Sequence, residues 1–176
     1  MKKLFILLLS FSLFACMGVP QNVTVVNGVN ASQYLGTWYE IARLDHSFER
    51  GLEQVTASYS KNADGSIKVI NRGFNTEKQV WKEAEGKAYF VEKPNADGSY
   101  IGKLKVSFFG PFYGAYNIIA LDKSHYDHVM ICGPDKDYLW ILSRKPALAE
   151  PIKQALVDEA KKLGFATEKI IYVKQN

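Results

Sequence analysis

The feature that most constrains this chain is a succession of short β-rich runs with no long crossover between them. They fall at 36–44, 53–60, 66–74, 80–91, 100–109, 115–122, 126–132 and 137–144. Turn-forming sequences separate several of them: Asn62-Ala63-Asp64-Gly65, Asn95-Ala96-Asp97-Gly98 and Gly133-Pro134-Asp135-Lys136. Asp-Gly between strand-forming runs is a strong hairpin signal. Even spacing suits a sandwich or an up-and-down barrel, and consecutive hairpins favour the barrel. The expected fold is all-β, an eight-stranded antiparallel up-and-down barrel.

One helix follows. Pro146 and Pro151 suit its approach and first turn, and Gly164 suits its C-terminal cap. Ile152, Ala155, Leu156, Ala160 and Leu163 recur at helical spacing and make one apolar stripe. Ile170-Ile171-Tyr172-Val173 reads as a last short strand.

Alternation assigns the faces, once a register is chosen that turns Trp38 inward. The inward sets are then Trp38, Glu40 and Ala42; Val55, Ala57 and Tyr59; Ile67, Val69 and Asn71; Ala84, Gly86 and Ala88. Later strands add Leu104, Val106 and Phe108; Tyr116, Ile118 and Ala120; Val129 and Ile131; Tyr138, Trp140 and Leu142. The last three strands also carry apolar residues on their outward face: Ile119, Leu121, Met130, Cys132, Leu139 and Ile141. A wall apolar on both sides needs a cover, and the helix stripe supplies one. The single C-terminal α-helix is therefore expected to pack on the outer wall of the barrel. Small inward residues on several strands favour a barrel with a cavity over one packed solid.

The N-terminus belongs to targeting. Lys2 and Lys3 precede an apolar run from Leu4 to Phe14, which is short of the ~20 residues that span a bilayer. This is the pattern of a secretory signal. It ends in Leu13-Phe14-Ala15-Cys16, which resembles the lipobox of bacterial lipoproteins. The expected division is a signal peptide at 1–15, a lipidated Cys16 and tether at 16–30, and one barrel domain at 31–176. Met at position 17 in place of Asp resembles outer-membrane sorting. Within the tether, Val23-Thr24-Val25-Val26 is apolar enough to lie against the barrel wall.

The whole chain has 22 Lys and Arg against 18 Asp and Glu, and the signal removes two of the lysines. That near balance, with no basic run, gives no reason to invoke nucleic acid. With Cys16 lipidated, Cys132 is the remaining thiol and no intramolecular disulfide forms. Catalysis finds little support. Cys132 falls on the outward face, and no Gly-x-Ser-x-Gly elbow or Gly-rich phosphate loop is present. His125 and His128 lie near Asp122 and Asp127, but no motif places a third strong ligand, so neither a metal nor a cofactor is expected.

Gly36-Thr37-Trp38, the extension Tyr39-Glu40-Ile41-Ala42, and Arg144 closing Trp140-Ile141-Leu142-Ser143 together resemble a lipocalin. The chain closely resembles the bacterial lipocalins, outer-membrane lipoproteins similar to animal apolipoprotein D. The resemblance covers essentially the whole mature chain. One departure stands out: the family's Thr-Asp-Tyr motif is matched only at Asp122, between Leu121 and Lys123. The resemblance implies a structural motif of Gly36, Trp38 and Arg144, with the arginine packed over the tryptophan at the closed base.

It also implies a hydrophobic ligand inside the barrel, in the bacterial branch a fatty acid or lysophospholipid. The expected ligand-binding residues are Ala42, Val55, Ala57, Tyr59, Val69, Val106, Phe108, Tyr113, Tyr116, Ile118 and Trp140. The protein would sit on the outer membrane through its lipid anchor, facing the periplasm, as a binding protein and not an enzyme. A homodimer through the open-end loops is compatible with the sequence without being required by it. Two rivals remain at this level: a structural envelope protein with an incidental cavity, and a lipocalin-type enzyme. Glu40 either bonds Asn71, Tyr116 or Tyr138, or meets a ligand head group.

Overall fold

Each of the expected runs forms a strand in the computed structural model, which describes residues 18–175. The signal peptide and Cys16 lie outside the described residues. A one-turn helix, α1 (Ala31–Tyr34), precedes the barrel, capped by the Asn30 side chain. Strands β1 (Gly36–Arg43), β2 (Leu52–Lys61), β3 (Ile67–Asn75) and β4 (Val80–Phe90) follow. Then come β5 (Lys103–Phe109), β6 (Phe112–Leu121), β7 (His128–Cys132) and β8 (Leu139–Ser143). Helix α2 (Glu150–Lys162) and the two-residue β9 (Ile171–Tyr172) complete the chain. Neighbours in sequence pair antiparallel from β1 to β8, and β8 pairs with β1, so the eight-stranded barrel closes.

Two of the turns repeat one solution. Asn62-Ala63-Asp64-Gly65-Ser66 and Asn95-Ala96-Asp97-Gly98-Ser99 each close with a backbone bond from Asn to Ser and a Ser hydroxyl donated to the Asp carboxylate. Gly65 and Gly98 take φ of 83° and 80°, a conformation costly for any residue with a Cβ.

Closure between β1 and β2 is only half a ladder. Gly36 to Tyr39 pair with Thr56 to Tyr59, whereas Ala42 and Arg43 pair with β9 instead. The C-terminal tail fills the gap. Gln54 N–H donates to Lys174 O, and the Gln175 amide donates to both Glu40 O and Val55 O. Backbone groups that the strands leave unpaired are thereby satisfied.

Two cores result. Inside the barrel, Val29, Tyr34, Trp38, Ile118, Val129 and Ile131 are packed tightly at the closed end. Outside, α2 sets Leu156, Val157 and Ala160 against Ile119, Met130, Cys132, Leu139 and Ile141. The doubly apolar wall and its helical cover thus meet as the pattern requires. The stripe itself is narrower and rotated: Ile152 and Ala155 are exposed, and Val157 is buried in their place. Gly164 (φ 85°) ends the helix in a Schellman arrangement, with Phe165 N–H donating to Ala160 O and Gly164 N–H to Lys161 O.

The register shifts at four places, and two of these bulges carry expected inward residues across the wall. The β1–β8 register shifts between Glu40 and Ala42, and the β6–β7 register between Ile118 and Ala120. A bulge moves every later residue to the opposite face. Ala42 and Ala120 therefore join the outer core under α2, while Leu121 turns into the barrel.

Residues 18–30 are laid along the wall. Val26 N–H donates to Ile118 O and Gly102 N–H to Val26 O, and Val29 bridges to Tyr100. Val23 packs into the outer core.

Candidate functional site: an apolar cavity in the barrel

The floor of the barrel is set by α1 and β1. Trp38 is fully buried, its indole N–H donates to Tyr34 O at 2.9 Å, and the two rings lie 5.2 Å apart. The guanidinium of Arg144 covers the outer side, 3.8 Å from the Trp38 ring centre. It donates to Thr37 O, Gln33 O and Tyr126 O. This end is closed.

Above the floor the interior opens into a cavity of about 770 Å³, its open mouth included. Among the expected residues, Val55, Ala57, Tyr59, Val69, Val106, Phe108, Tyr116 and Trp140 line it. Ala88, Ala115, Leu104, Ile131 and Leu142 complete the apolar wall, with Phe48 at the mouth. The small side chains of Ala57, Ala88 and Ala115 leave the room. Gly86 serves differently: a Cβ there would stand 2.8 Å from Phe108 Cδ1, so its bareness lets the Phe108 ring lie flat against β4.

Three of the expected wall residues lie elsewhere. Ala42 is turned out by the β1 bulge and is buried in the cluster under α2. Tyr113 is on the outer surface, 6.2 Å from the Tyr89 ring and beneath the Lys105 ammonium. It directly follows the first residue of β6, where the β5–β6 register is irregular. Ile118 points inward but belongs to the packed floor, below the cavity.

Polar groups enter the cavity in two places. Near the floor, the Tyr116 hydroxyl lies 2.6 Å from that of Tyr34 and 3.0 Å from that of Tyr59. Burial raises the pKa of all three, Tyr59 to about 12, so they remain neutral donors and acceptors.

Toward the mouth lies a charged cluster that alternation conceals. The β1 bulge turns Arg43 inward, where its Nη1 donates to Glu40 Oε1 at 2.6 Å and its Nη2 to Glu49 O and Leu52 O. Glu40 thus finds its partner in Arg43, not in Asn71, Tyr116 or Tyr138. Trp140 Nε1 donates to Glu49 Oε2 at 3.0 Å, and His46 Nε2 stands 3.3 Å from the same oxygen without hydrogen-bond geometry. One guanidinium facing two buried carboxylates cannot neutralise both. Burial, and the negative charge of Glu49, raise Glu40 to about 8 against the opposing pull of Arg43. Burial also raises Glu49 and lowers His46 to about 4. Glu40 and Glu49 line the cavity, as does Asn71, whose Oδ1 is buried without a protein partner.

The residues weighed for catalysis are placed away from this cavity. Cys132 is fully buried beneath α2, and burial pushes its thiol up to about 12. Asp122 organises its own turn, accepting from the N–H groups of Ser124, His125 and Asp127. Asp122, the one residue that matches the family's Thr-Asp-Tyr motif, thus serves its own turn.

Comparison with known proteins agrees with this architecture. A family profile described as Lipocalin-like domain matches residues 29–175. The outer membrane lipoprotein Blc of Citrobacter freundii is 54% identical over 168 residues, covering 94% of this chain and 92% of that protein. The Blc protein of Vibrio cholerae serotype O1 is 50% identical, with 99% of both chains covered. Apolipoprotein D of Rattus norvegicus is 34% identical over 79% of this chain and 71% of its own. Insecticyanin of the tobacco hornworm Manduca sexta shares the fold, with a TM-score of 0.67 at 21% identity over 90% of this chain and 87% of its own. With a barrel closed beneath by Trp38 and Arg144 and a profile match over nearly all described residues, the chain belongs to the lipocalin family.

Proposed function

We propose that the barrel binds one acyl chain of a fatty acid or lysophospholipid, for storage or transport without turnover. The observation that carries this reading is the cavity: deep, open at one end, and walled almost wholly by aliphatic and aromatic side chains. Such a wall rewards the removal of a hydrocarbon chain from water at about 0.8 kcal/mol per buried methylene. The polar groups at the mouth, Glu40, Glu49 and Asn71, stand where a head group would rest. Cys132 under α2 offers the cavity no nucleophile.

The relatives at 50–54% identity are named outer membrane lipoproteins. Together with the lipobox-like Leu13-Phe14-Ala15-Cys16, this supports an outer-membrane lipoprotein anchored through Cys16 and facing the periplasm. Native mass spectrometry of a Cys16→Ser form released gently from the periplasm tests the ligand. A co-purified mass matching a fatty acid or lysophospholipid is the expected result. An empty protein that also takes up neither lipid when added at micromolar concentration refutes the reading.

A further inference from the structure

We propose that the barrel docks mouth-first on the phospholipid surface that holds its anchor, with the β5–β6 hairpin tip seated among the lipids. The proposal rests on the lipoprotein reading above and adds an orientation and a contact surface to it.

Where the chain leaves the fold comes first. Gly18 O accepts from the Asn117 amide, and the same amide donates to Gly133 O, in the loop that joins β7 to β8. A Cβ on Gly18 would stand 3.9 Å from Pro134 O in that loop. The β7–β8 loop belongs to the open end, with the β1–β2, β3–β4 and β5–β6 turns. From Gly18 the chain runs down the wall and reaches the closed end at Val29. Cys16 is two residues before Gly18, and two residues span at most about 7 Å. A diacylated Cys16 is therefore tethered within about 7 Å of Gly18, on the side of the barrel that carries the β7–β8 loop of the open end.

Exposed apolar groups gather at the same end. Of the large exposed apolar side chains, Phe48 (61%), Val80, Trp81, Phe109 (81%) and Phe112 (67%) are on open-end loops or strand ends, the last two being the most exposed of all. Val91, by contrast, is at the closed end, Ile152 on α2, and Ile171 and Tyr172 on β9. Phe109 and Phe112 flank the tip of the β5–β6 hairpin and pair across it, outside the cavity. Exposed aromatic groups of this kind mark binding surfaces and sit well at the lipid–water boundary.

Charge narrows the partner. Asp45 and Glu77 are offset by Arg50 and Lys78, and Lys136 lies between Asp135 and Asp137. Such a rim carries no excess of positive charge, so it suits a zwitterionic surface and not a polyanion. With the mouth pressed to the bilayer, an acyl chain passes into the cavity without crossing bulk water.

The test uses the lipidated full chain in phosphatidylcholine–phosphatidylethanolamine vesicles, with one spin label at Phe112→Cys or at Ala96→Cys on the β4–β5 loop of the closed end. The label at 112 is expected to meet oxygen dissolved in the bilayer and to escape a water-soluble nickel chelate, with the reverse at 96. Both labels in water, or only the label at 96 in lipid, overturns the proposal. Dipolar broadening between labels at 112 that stay in water assigns the patch to a second copy and also overturns it. An intact mass without lipid on Cys16 removes the tether and does the same.

A second arm replaces both tip residues, Phe109→Ser with Phe112→Ser. Transfer of a fluorescent fatty acid from vesicles should slow by about tenfold or more, the order expected for losing a buried phenyl group. Its affinity from free solution should be unchanged. Unaltered transfer refutes the docking. Orientation is read without any ligand, so a failed ligand reading leaves the label result standing and distinguishable.

Discussion

Arg144 lies flat over Trp38, 3.8 Å from its ring centre, and Gly36 leaves the space for it. A Cβ on Gly36 would stand 3.2 Å from Arg144 Nη1, and Gly36 holds φ at 97°, where a side chain is strained in any case. The three residues of the sequence motif are thus one mechanical unit. The arginine seals the base and satisfies three carbonyls from α1, β1 and the β6–β7 loop.

Replacing Arg144 with Lys should therefore not be conservative. An ammonium keeps the charge but loses the planar stack and the fork of donors, so we expect a loss of about 2–4 kcal/mol in urea unfolding. Retention of wild-type stability by Arg144→Lys would show that charge alone suffices.

Two alanines that look alike in the sequence should respond in opposite ways. Ala57 lines the cavity, so Ala57→Trp should fill it and abolish uptake of a fluorescent fatty acid while the barrel still folds. Ala120 is half-buried and packs against the core beneath α2, outside the cavity. Ala120→Phe should destabilise the protein by about 1–3 kcal/mol with little effect on affinity. Paired melting and binding titrations of the two variants decide the matter.

The Glu40–Arg43–Glu49 cluster should make stability depend on pH. The folded pKa of Glu40 is raised from 4.5 to about 8, so the folded state holds a proton that the unfolded chain releases. Stability from that proton is full below about pH 4.5 and is lost as pH rises toward 8. His46 acts with the opposite sign. Its folded pKa is lowered from 6.5 to about 4, so its contribution is present above 6.5 and lost as pH falls toward 4. Between pH 6.5 and 8 His46 has little further effect, and the buried carboxylates of the cluster carry the dependence. Urea midpoints should fall across that window in the wild type and much less in Glu40→Gln; equal slopes would count against the assignment.

Cys132 should behave as a core residue. In a Cys16→Ser form, iodoacetamide at pH 8 should leave the thiol unmodified in the native protein and label it fully in urea. Burial and a pKa of about 12 both withhold the thiolate. Rapid native labelling would reopen a reactive role for this residue.

Much of the molecule was legible along the chain because a barrel of consecutive hairpins repeats local signals. Asp64-Gly65 and Asp97-Gly98 announce their turns, and Gly164 its helix end, through backbone preferences that need no distant partner. The outward apolar residues of β6 to β8 and the helix stripe announced each other, since both needed cover. Eight of the expected cavity residues line the cavity for the same reason: period-two alternation holds wherever a strand is regular.

What alternation could not reveal are the bulges. A single extra residue in β1 carries Ala42 out and Arg43 in, and one in β6 does the same to Ala120 and Leu121. No local composition marks either place, because a bulge is fixed by the register of the partner strand. The buried cluster of Glu40, Arg43, Glu49 and His46 follows from that shift and from a loop folding back over the mouth. So does the seam that Gln175 closes between β1 and β2 from the far end of the chain. The sequence by itself determined the strands, the turns and the covering helix, which rest on short-range geometry or on periodicity, while the motif at the base was implied by the family resemblance. Only the tertiary structure decided which charges share the cavity wall and at which end of the barrel the N-terminal segment emerges, because both depend on contacts between residues distant in the chain.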